Sequence, residues 1–194
     1  MKTKIVVLSS AALLLFTGCT NHIIYNKQYI EPELKTGLNK VKNTDVYIQK
    51  HKPLIIKKHP NSFRGMATTV NVDLESINSN VLKEFLQQYF KNVKFTDTFK
   101  KDGLYIDSKL YDYNYAYGFS DGNEVEEFVK VKVFYNGKKI LDKTYKIKHD
   151  ITALSLHINL NSLLEENFHK TLLRLYETQF KPDLIKALEK ANQG

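Results

Sequence analysis

The strongest structural signal in the sequence is a β-hairpin centred on Asn136-Gly137. Asn-Gly favours tight hairpin turns because both residues tolerate a positive φ. On either side, Glu126–Phe134 and Lys138–His149 alternate apolar and polar residues, as half-buried antiparallel strands do. The side chains that we expect to face the core are Val129, Val131, Val133, Leu141 and Tyr145.

The length of the hairpin loop can be predicted from charge pairing. A two-residue loop would place Lys130 opposite Lys143, and like charges directly across a strand pair are destabilising. A three-residue loop, Tyr135–Gly137 with its glycine left-handed, would place Lys130 opposite Asp142 instead. We therefore predict the three-residue loop.

Two amphipathic helices are predicted from cap residues and from the spacing of apolar residues. Asp73 can cap the first helix, which we expect to run to about Lys91. The second follows a capping box at 162–165, and Pro182 should kink or restart it. The apolar residues at helical spacing are Leu74, Ile77, Val81 and Phe85 in the first helix and Leu164, Phe168, Leu172, Leu175 and Tyr176 in the second.

Several further strands complete the predicted fold. They cover residues 45–49, 53–58, 93–95, 104–117 and 154–160. The order is then strand, helix, several antiparallel strands and helix. This order predicts an α+β fold, a mostly antiparallel sheet with two helices packed on one face.

The long strand 104–117 carries four tyrosines at a spacing of two residues, which places them on one face. Its apolar residues lie at even positions on the other face, so either both faces are partly buried or a β-bulge turns the strand midway. Tyrosines suit a protein interface, but they also cover sheets beneath a helix or a tether. The candidate partner surface consists of Tyr111, Tyr113, Tyr115 and Tyr117.

The densest basic stretch of the chain is residues 50–59. It is a candidate for contact with anionic head groups, lipopolysaccharide phosphates or an acidic partner. Alternatively, its lysines protect an edge strand from pairing with another chain. The candidate anionic contacts are Lys50, Lys52, Lys57 and Lys58.

The start of the chain has the pattern of an export signal. Lys2 and Lys4 precede Ile5–Phe16, a largely apolar run of twelve residues. This run is too short for the roughly 20 residues that span a bilayer, but it suits the apolar region of a signal peptide. It is followed by Gly18 and by Cys19, the only cysteine of the chain. An unpaired thiol in an exported protein requires an explanation.

The segment Phe16-Thr17-Gly18-Cys19 resembles the lipobox of bacterial lipoprotein precursors, with Phe in place of the usual Leu. The resemblance implies cleavage between Gly18 and Cys19 and a diacylglycerol thioether on Cys19. Residues 1–18 would then be the signal peptide, 19–43 the lipidated N-terminus and tether, and 44–194 one α+β domain. In a Gram-negative cell an Asp at position 20 would favour inner-membrane retention, so Thr20 favours the outer membrane. The location that we expect is the outer membrane, with the domain facing the periplasm.

The order of elements in residues 44–190 resembles that of small accessory lipoproteins, the lipopolysaccharide-assembly and YajG-like lipoproteins. That resemblance implies a non-catalytic module that binds or stabilises an envelope protein partner. A second likeness lies in Cys19-Thr-Asn-His22-Ile23-Ile24, which is similar to the mature start of HpaA-type lipoproteins. It implies the alternative function, a surface-exposed adhesin-like lipoprotein.

Composition and motifs restrict the chemistry that we expect. The formal charge of +8 comes almost entirely from lysine, with Arg64 and Arg174 the only arginines. Nucleic-acid readers depend on arginine for bidentate contacts, so we expect no nucleic-acid partner. The sequence carries none of the common catalytic or phosphate-binding motifs, and no two of its six histidines share the i, i+4 spacing of a helical metal pair. We therefore expect no enzyme activity, metal or cofactor, and a membrane contact through the acyl chains on Cys19.

Overall fold

The computed structural model describes residues 43–58, 69–116, 124–150 and 160–193. The predicted signal peptide, most of the predicted tether and the predicted strand residues 154, 156 and 158 lie outside these ranges. The elements in chain order are β1 (Val46–Gln49), β2 (Ile55–Lys58), β3 (Thr69–Asp73), α1 (Leu74–Gln87), β4 (Val93–Thr96), β5 (Leu104–Ala116), β6 (Glu124–Tyr135), β7 (Lys138–Asp150), α2 (Leu160–Leu175), a π-helical turn (Tyr176–Phe180) and α3 (Lys181–Gln193).

Five strands form the main sheet in the order β4-β1-β5-β6-β7. The pairs β5-β6 and β6-β7 are antiparallel, whereas β1 is parallel to both β4 and β5. The α+β prediction is confirmed, and the sheet is mixed where we expected it to be mostly antiparallel. The parallel pairs arise because α1 lies between β1 and β4 in the chain, and a helical crossover returns a strand in the same direction.

The hairpin turn differs from the three-residue loop that we predicted. Tyr135 pairs with Lys138, which leaves a two-residue loop of Asn136 and Gly137. Both loop residues have positive φ, 47° and 78°, as a type I′ turn requires. The predicted charge pair does not form, because the ladder between β6 and β7 is irregular. A register shift beside Phe134 moves Lys130 opposite Thr144, so the repulsive pair with Lys143 does not form.

A second register shift lies in β5 and decides between the two alternatives for the tyrosine strand. Leu110 pairs with Val129, and the next paired residue is Asp112, opposite Phe128. Tyr111 is therefore the extra residue of a β-bulge, which reverses the side-chain alternation beyond it. The bulge alternative is confirmed.

Helix α1 begins where its cap residue predicts and ends earlier than expected. Asp73 Oδ1 accepts hydrogen bonds from the backbone N–H groups of Glu75 and Ser76, each at 3.2 Å. The last helical residue is Gln87, with Gln88 as the C-cap, so the prediction of a helix to about Lys91 was four residues too long. Residues 93–96 then form β4, and the short connection sets the point at which α1 must stop.

The C-terminal helix also differs from the prediction at its start. Leu160 was expected in a strand, but it is the first residue of α2, two residues before the predicted cap at Ser162. A π-helical turn separates α2 from α3, and the N–H of Lys181 donates to the carbonyl of Tyr176, five residues back. Pro182 has no N–H to donate, and the wider turn before it accommodates the missing hydrogen bond.

The core lies between the sheet and the helices. Helices α1 and α2 contact each other, and they pack on β5 and on β6 and β7 respectively. Eight of the nine apolar residues that we assigned to the two helix faces are buried. The ninth, Ile77, is half-buried against the same core. Within the described residues, no helix is long and apolar enough to cross a bilayer.

Candidate functional site

Because of the bulge, the predicted tyrosine surface is not continuous: Tyr111 is exposed and Tyr113 is half-buried. Tyr111 is 52% exposed, and its ring centroid lies 6.0 Å from that of Phe128. Tyr113 is half-buried, and its ring meets Phe168 of α2 edge-on at 6.2 Å. The side chain of Tyr115 and all of Tyr117 lie outside the described residues. Tyr113 therefore covers the sheet beneath a helix, and Tyr111 remains a candidate contact for a partner.

This division predicts unequal effects on stability. We expect Tyr113→Ala to lower the free energy of unfolding by about 2 kcal/mol, because it removes a half-buried ring and its aromatic contact. Tyr111→Ala should change that free energy by less than about 0.5 kcal/mol. Urea unfolding followed by circular dichroism measures both, and equal losses in the two variants would contradict the assignment.

The predicted lysines lie on two neighbouring segments of the chain, the residues that follow β1 and strand β2. Lys50 Nζ is 3.3 Å from Asp97 Oδ2, and the side chain of Lys52 is exposed. The backbone of Lys57 and Lys58 belongs to β2, which pairs with β3 in a separate two-stranded sheet. Their side chains lie outside the described residues. The anionic contact of this set stays a prediction, and Lys50 already has an acidic neighbour.

A polar pocket of about 240 Å³ opens at the N-terminal end of α1. Beside it, His51 Nε2 lies 2.9 Å from Asp107 Oδ1, in an ion-pair contact that is not aligned as a hydrogen bond. The contact with His51 is the main reason that the pKa of Asp107 lies below its usual range. The pocket carries charges of both signs, so it has no clear preference for an anion. Its lining residues include Lys50, His51, Asp73, Glu75, Ser79 and Phe95.

A cluster of buried polar side chains joins α1, β5 and the π-helical turn. Asn78 Nδ2 donates to the carbonyl of Ser108 at 3.2 Å, and Tyr176 OH donates to Asn78 Oδ1. The hydroxyl of Tyr176 also lies 2.8 Å from Ser108 Oγ, and Glu75 Oε2 accepts the N–H of Leu110 at 3.1 Å. Burial is the largest cause that raises the pKa values of Glu75 and Tyr176. Each member has a partner, so the cluster fixes how α1 and the turn sit on the sheet.

Glu127 is a buried polar residue outside this cluster. Its side chain is fully buried on the core face of β6, in register with Tyr113 on β5 and Ile147 on β7. Among the residues that the structure describes, neither carboxyl oxygen has a hydrogen-bond partner. Desolvation raises the pKa of Glu127 well above its ordinary value, because the charged form loses its water without gaining a partner. A buried group of this kind lowers stability.

The outer face of the main sheet, opposite α1 and α2, is polar and partly aromatic. The antiparallel register of β5, β6 and β7 arranges its side chains in rows. In one row Lys132 lies between Asp107 and Asp142, with its Nζ 3.5 Å from Asp107 Oδ2. Elsewhere on this face, Lys146 Nζ is 2.8 Å from Glu126 Oε1. These rows pair lysines with carboxylates.

One row has no carboxylate. Lys109 lies directly opposite Lys130, and Lys130 lies opposite Thr144; we call these three residues the lysine row. All three side chains are exposed, and within the described residues neither lysine has an ion-pair partner. Like charges in direct register oppose strand pairing by up to roughly 1 kcal/mol. The lysine row therefore concentrates positive charge in one row of the face, with Asp142 of the neighbouring row as an electrostatic neighbour of Lys130.

Two features of this site were missed by the sequence interpretation. Glu127 interrupts a run of inward-facing valines, and that pattern alone was sufficient to predict a buried carboxylate. The pairing of Lys109 with Lys130 had no usable signal, because it depends on the register between β5 and β6. The predicted lipidation residues, Gly18 and Cys19, lie outside the described residues.

Comparison with known proteins supports the fold. No protein-family model matches the sequence, and no curated protein is similar to it. Among solved structures, the chain is similar to a Xanthomonas campestris protein of the DUF330 family, with a TM-score of 0.53 and 8% identity over 78% of this chain and 89% of that one. This similarity shows a shared fold.

Two further structures have lower scores. A candidate lipoprotein from Caulobacter crescentus has a TM-score of 0.47 and 9% identity, over 81% of this chain and 96% of that one. A minor lipoprotein from Acinetobacter baumannii has a TM-score of 0.39 and 10% identity, over 77% of this chain and 92% of that one.

Proposed function

We propose that the protein is a membrane-anchored envelope lipoprotein whose folded domain acts as a non-catalytic accessory or binding module. The observation that carries this proposal is the sequence of residues 2–19, a basic start, a short apolar run and Gly18-Cys19. It stands before a folded α+β domain. Acyl chains on Cys19 would supply stable anchorage, since each buried methylene contributes about 0.8 kcal/mol.

The distribution of polar groups supports a role without catalysis. Glu127 and Tyr176, two residues with strongly raised pKa values, are fully buried and closed to a substrate. The exposed features are an aromatic and basic sheet face and a polar pocket. Such surfaces suit binding. The proposed location is the outer membrane, with the domain facing the periplasm and an envelope protein as its partner.

The anchor is tested by replacing the acylated residue. We expect Cys19→Ala to abolish the lipid mass on the mature N-terminus and to release the protein from the membrane fraction. The matched variant Thr20→Ala should keep both, and Thr20→Asp should move the protein to the inner membrane. Mass spectrometry of the purified protein and membrane fractionation measure these outcomes. A wild-type protein without lipid mass would overturn the proposal.

The accessory role is tested by cross-linking in living cells. Cross-linked wild-type protein should carry one dominant envelope protein, which the Cys19→Ala strain loses. Protease treatment of intact cells separates the alternative, because a periplasm-facing domain is protected and a displayed adhesin is digested. Absence of any partner, together with digestion on intact cells, would favour the adhesin.

A further inference from the structure

We infer that the lysine row, with Tyr111 and Phe128 beside it, is the surface by which the domain lies against anionic lipid head groups of its own membrane. The inference rests on the proposed function, because the lipid on Cys19 is what holds the domain near that membrane. It concerns the outer face of the main sheet, which is distinct from the basic stretch at residues 50–59.

The first argument is the charge of the lysine row. Lys109 and Lys130 lie in direct register with no carboxylate directly opposite either of them, so an anion between them relieves their mutual repulsion. Thr144 extends the row with a hydroxyl that can donate to a phosphate oxygen. Asp107, Asp142 and Glu126 on this face each contact a lysine. The exposed Asp112, in register with Phe128, instead accepts the N–H of Tyr113.

The second argument is the aromatic pair next to the row. Tyr111 stands out at the bulge and is one of three large apolar side chains of the described chain that are exposed. Its ring lies against Phe128, and Lys146 Nζ lies 4.9 Å from the centroid of Phe128. Tyrosine is enriched at membrane–water interfaces because its ring is apolar and its hydroxyl is polar. Rings and ammonium groups side by side fit the boundary between head groups and acyl chains.

The third argument is distance. Roughly 25 residues separate Cys19 from β1, so the chain between them reaches at most about 90 Å. A lipid on Cys19 therefore keeps the domain within that distance of the bilayer. Two lysines attract head groups weakly when the protein is free, but tethering makes the contact intramolecular and raises its effective concentration.

The test measures lysine reactivity in the native, lipidated protein. The protein is reconstituted in vesicles of phosphatidylcholine, or of phosphatidylcholine and phosphatidylglycerol in equal parts, and treated with an amine-acetylating reagent. We expect acetylation of Lys109 and Lys130 to be about fivefold slower on the anionic vesicles, with the difference lost at high salt. Lys186 and Lys190, exposed on α3, should react at the same rate on both.

Variants with equal loss of charge complete the test. Lys146 lies on the same face, beside Phe128, so in the wild type we expect its acetylation to be slower on the anionic vesicles as well. K109Q/K130Q should lose this protection of Lys146, whereas K186Q/K190Q should retain it. Protein that floats with the vesicles but shows equal acetylation of Lys109 and Lys130 on both compositions overturns this inference and leaves the lipid anchor intact. Protein that fails to float overturns the anchor itself. Protection that needs a co-purifying protein and not the anionic lipid also overturns the inference, in favour of an acidic protein partner.

Discussion

Replacing Glu127 with methionine is expected to raise the free energy of unfolding by at least about 2 kcal/mol at neutral pH. The wild-type carboxyl is fully buried and neither oxygen has a hydrogen-bond partner in the described part of the chain, so folding removes its hydration without compensation. Methionine is unbranched and adapts to the available space, and its thioether needs no partner. Chemical denaturation of the two proteins under identical conditions measures the difference.

The same group predicts a dependence of stability on pH. Burial raises the pKa of Glu127 in the folded protein, whereas the unfolded chain loses this proton near the ordinary value of 4.5. Above that pH the folded state binds more protons than the unfolded state, so stability falls as pH rises. The slope is about 1.4 kcal/mol per pH unit until the folded carboxyl ionises. Below pH 4.5 both states are protonated and the penalty from ionisation is absent.

Glutamine at position 127 separates the effect of ionisation on stability from the effect of burying a polar group. Glu127→Gln keeps the shape and the polar atoms but cannot ionise, so its stability minus that of the wild type should grow from pH 5 to pH 8. Other groups, such as Glu75 and Asp107, titrate in both proteins and cancel in the difference. Parallel pH profiles for the wild type and Glu127→Gln would show that the carboxyl is not held neutral by the fold.

Local patterns predicted the elements of this fold well where the signal lay within one segment. The Asp73 cap, the apolar faces of the helices and the Asn-Gly turn depend on residues close together in the chain, and all three are present. The parallel pairing of β1 was missed because it joins Val46 to Val93 and to Leu104. The sequence of a four-residue strand does not indicate whether it pairs with its neighbouring strands in parallel or antiparallel.

The candidate site depends more on register than on residue type. The bulge at Tyr111 decides which tyrosines face the helix, and the bulge beside Phe134 decides that Lys130 lies opposite Thr144. Each bulge adds a single residue, but every residue beyond it in that strand changes its face or its cross-strand partner. The alternation of residues in β5 indicated the bulge as one of two alternatives, but no local pattern indicated the register that forms the lysine row.

The second large effect is expected at Gly103, where the chain enters β5. Gly103 has a φ of +81°, and a Cβ added there would lie 2.5 Å from the carbonyl oxygen of Asp45. That oxygen accepts the N–H of Leu104 at 2.9 Å, which starts the parallel pairing of β1 with β5. Gly103→Ala must therefore strain its own backbone and push away the acceptor. We expect it to lower the free energy of unfolding by about 3 kcal/mol or more.

Gly137 provides the matched control, because it has a similar φ of +78° but no atom close enough to clash with an added Cβ. An added Cβ would meet nothing closer than the carbonyl oxygen of Lys101, at 3.7 Å. Gly137→Ala should therefore show the backbone strain alone, about 1 kcal/mol. Thermal or urea unfolding of both variants gives the difference, which measures the contact between Gly103 and Asp45. Equal losses would mean that β1 can move away from β5 without penalty, and that its pairing with β5 contributes little to stability.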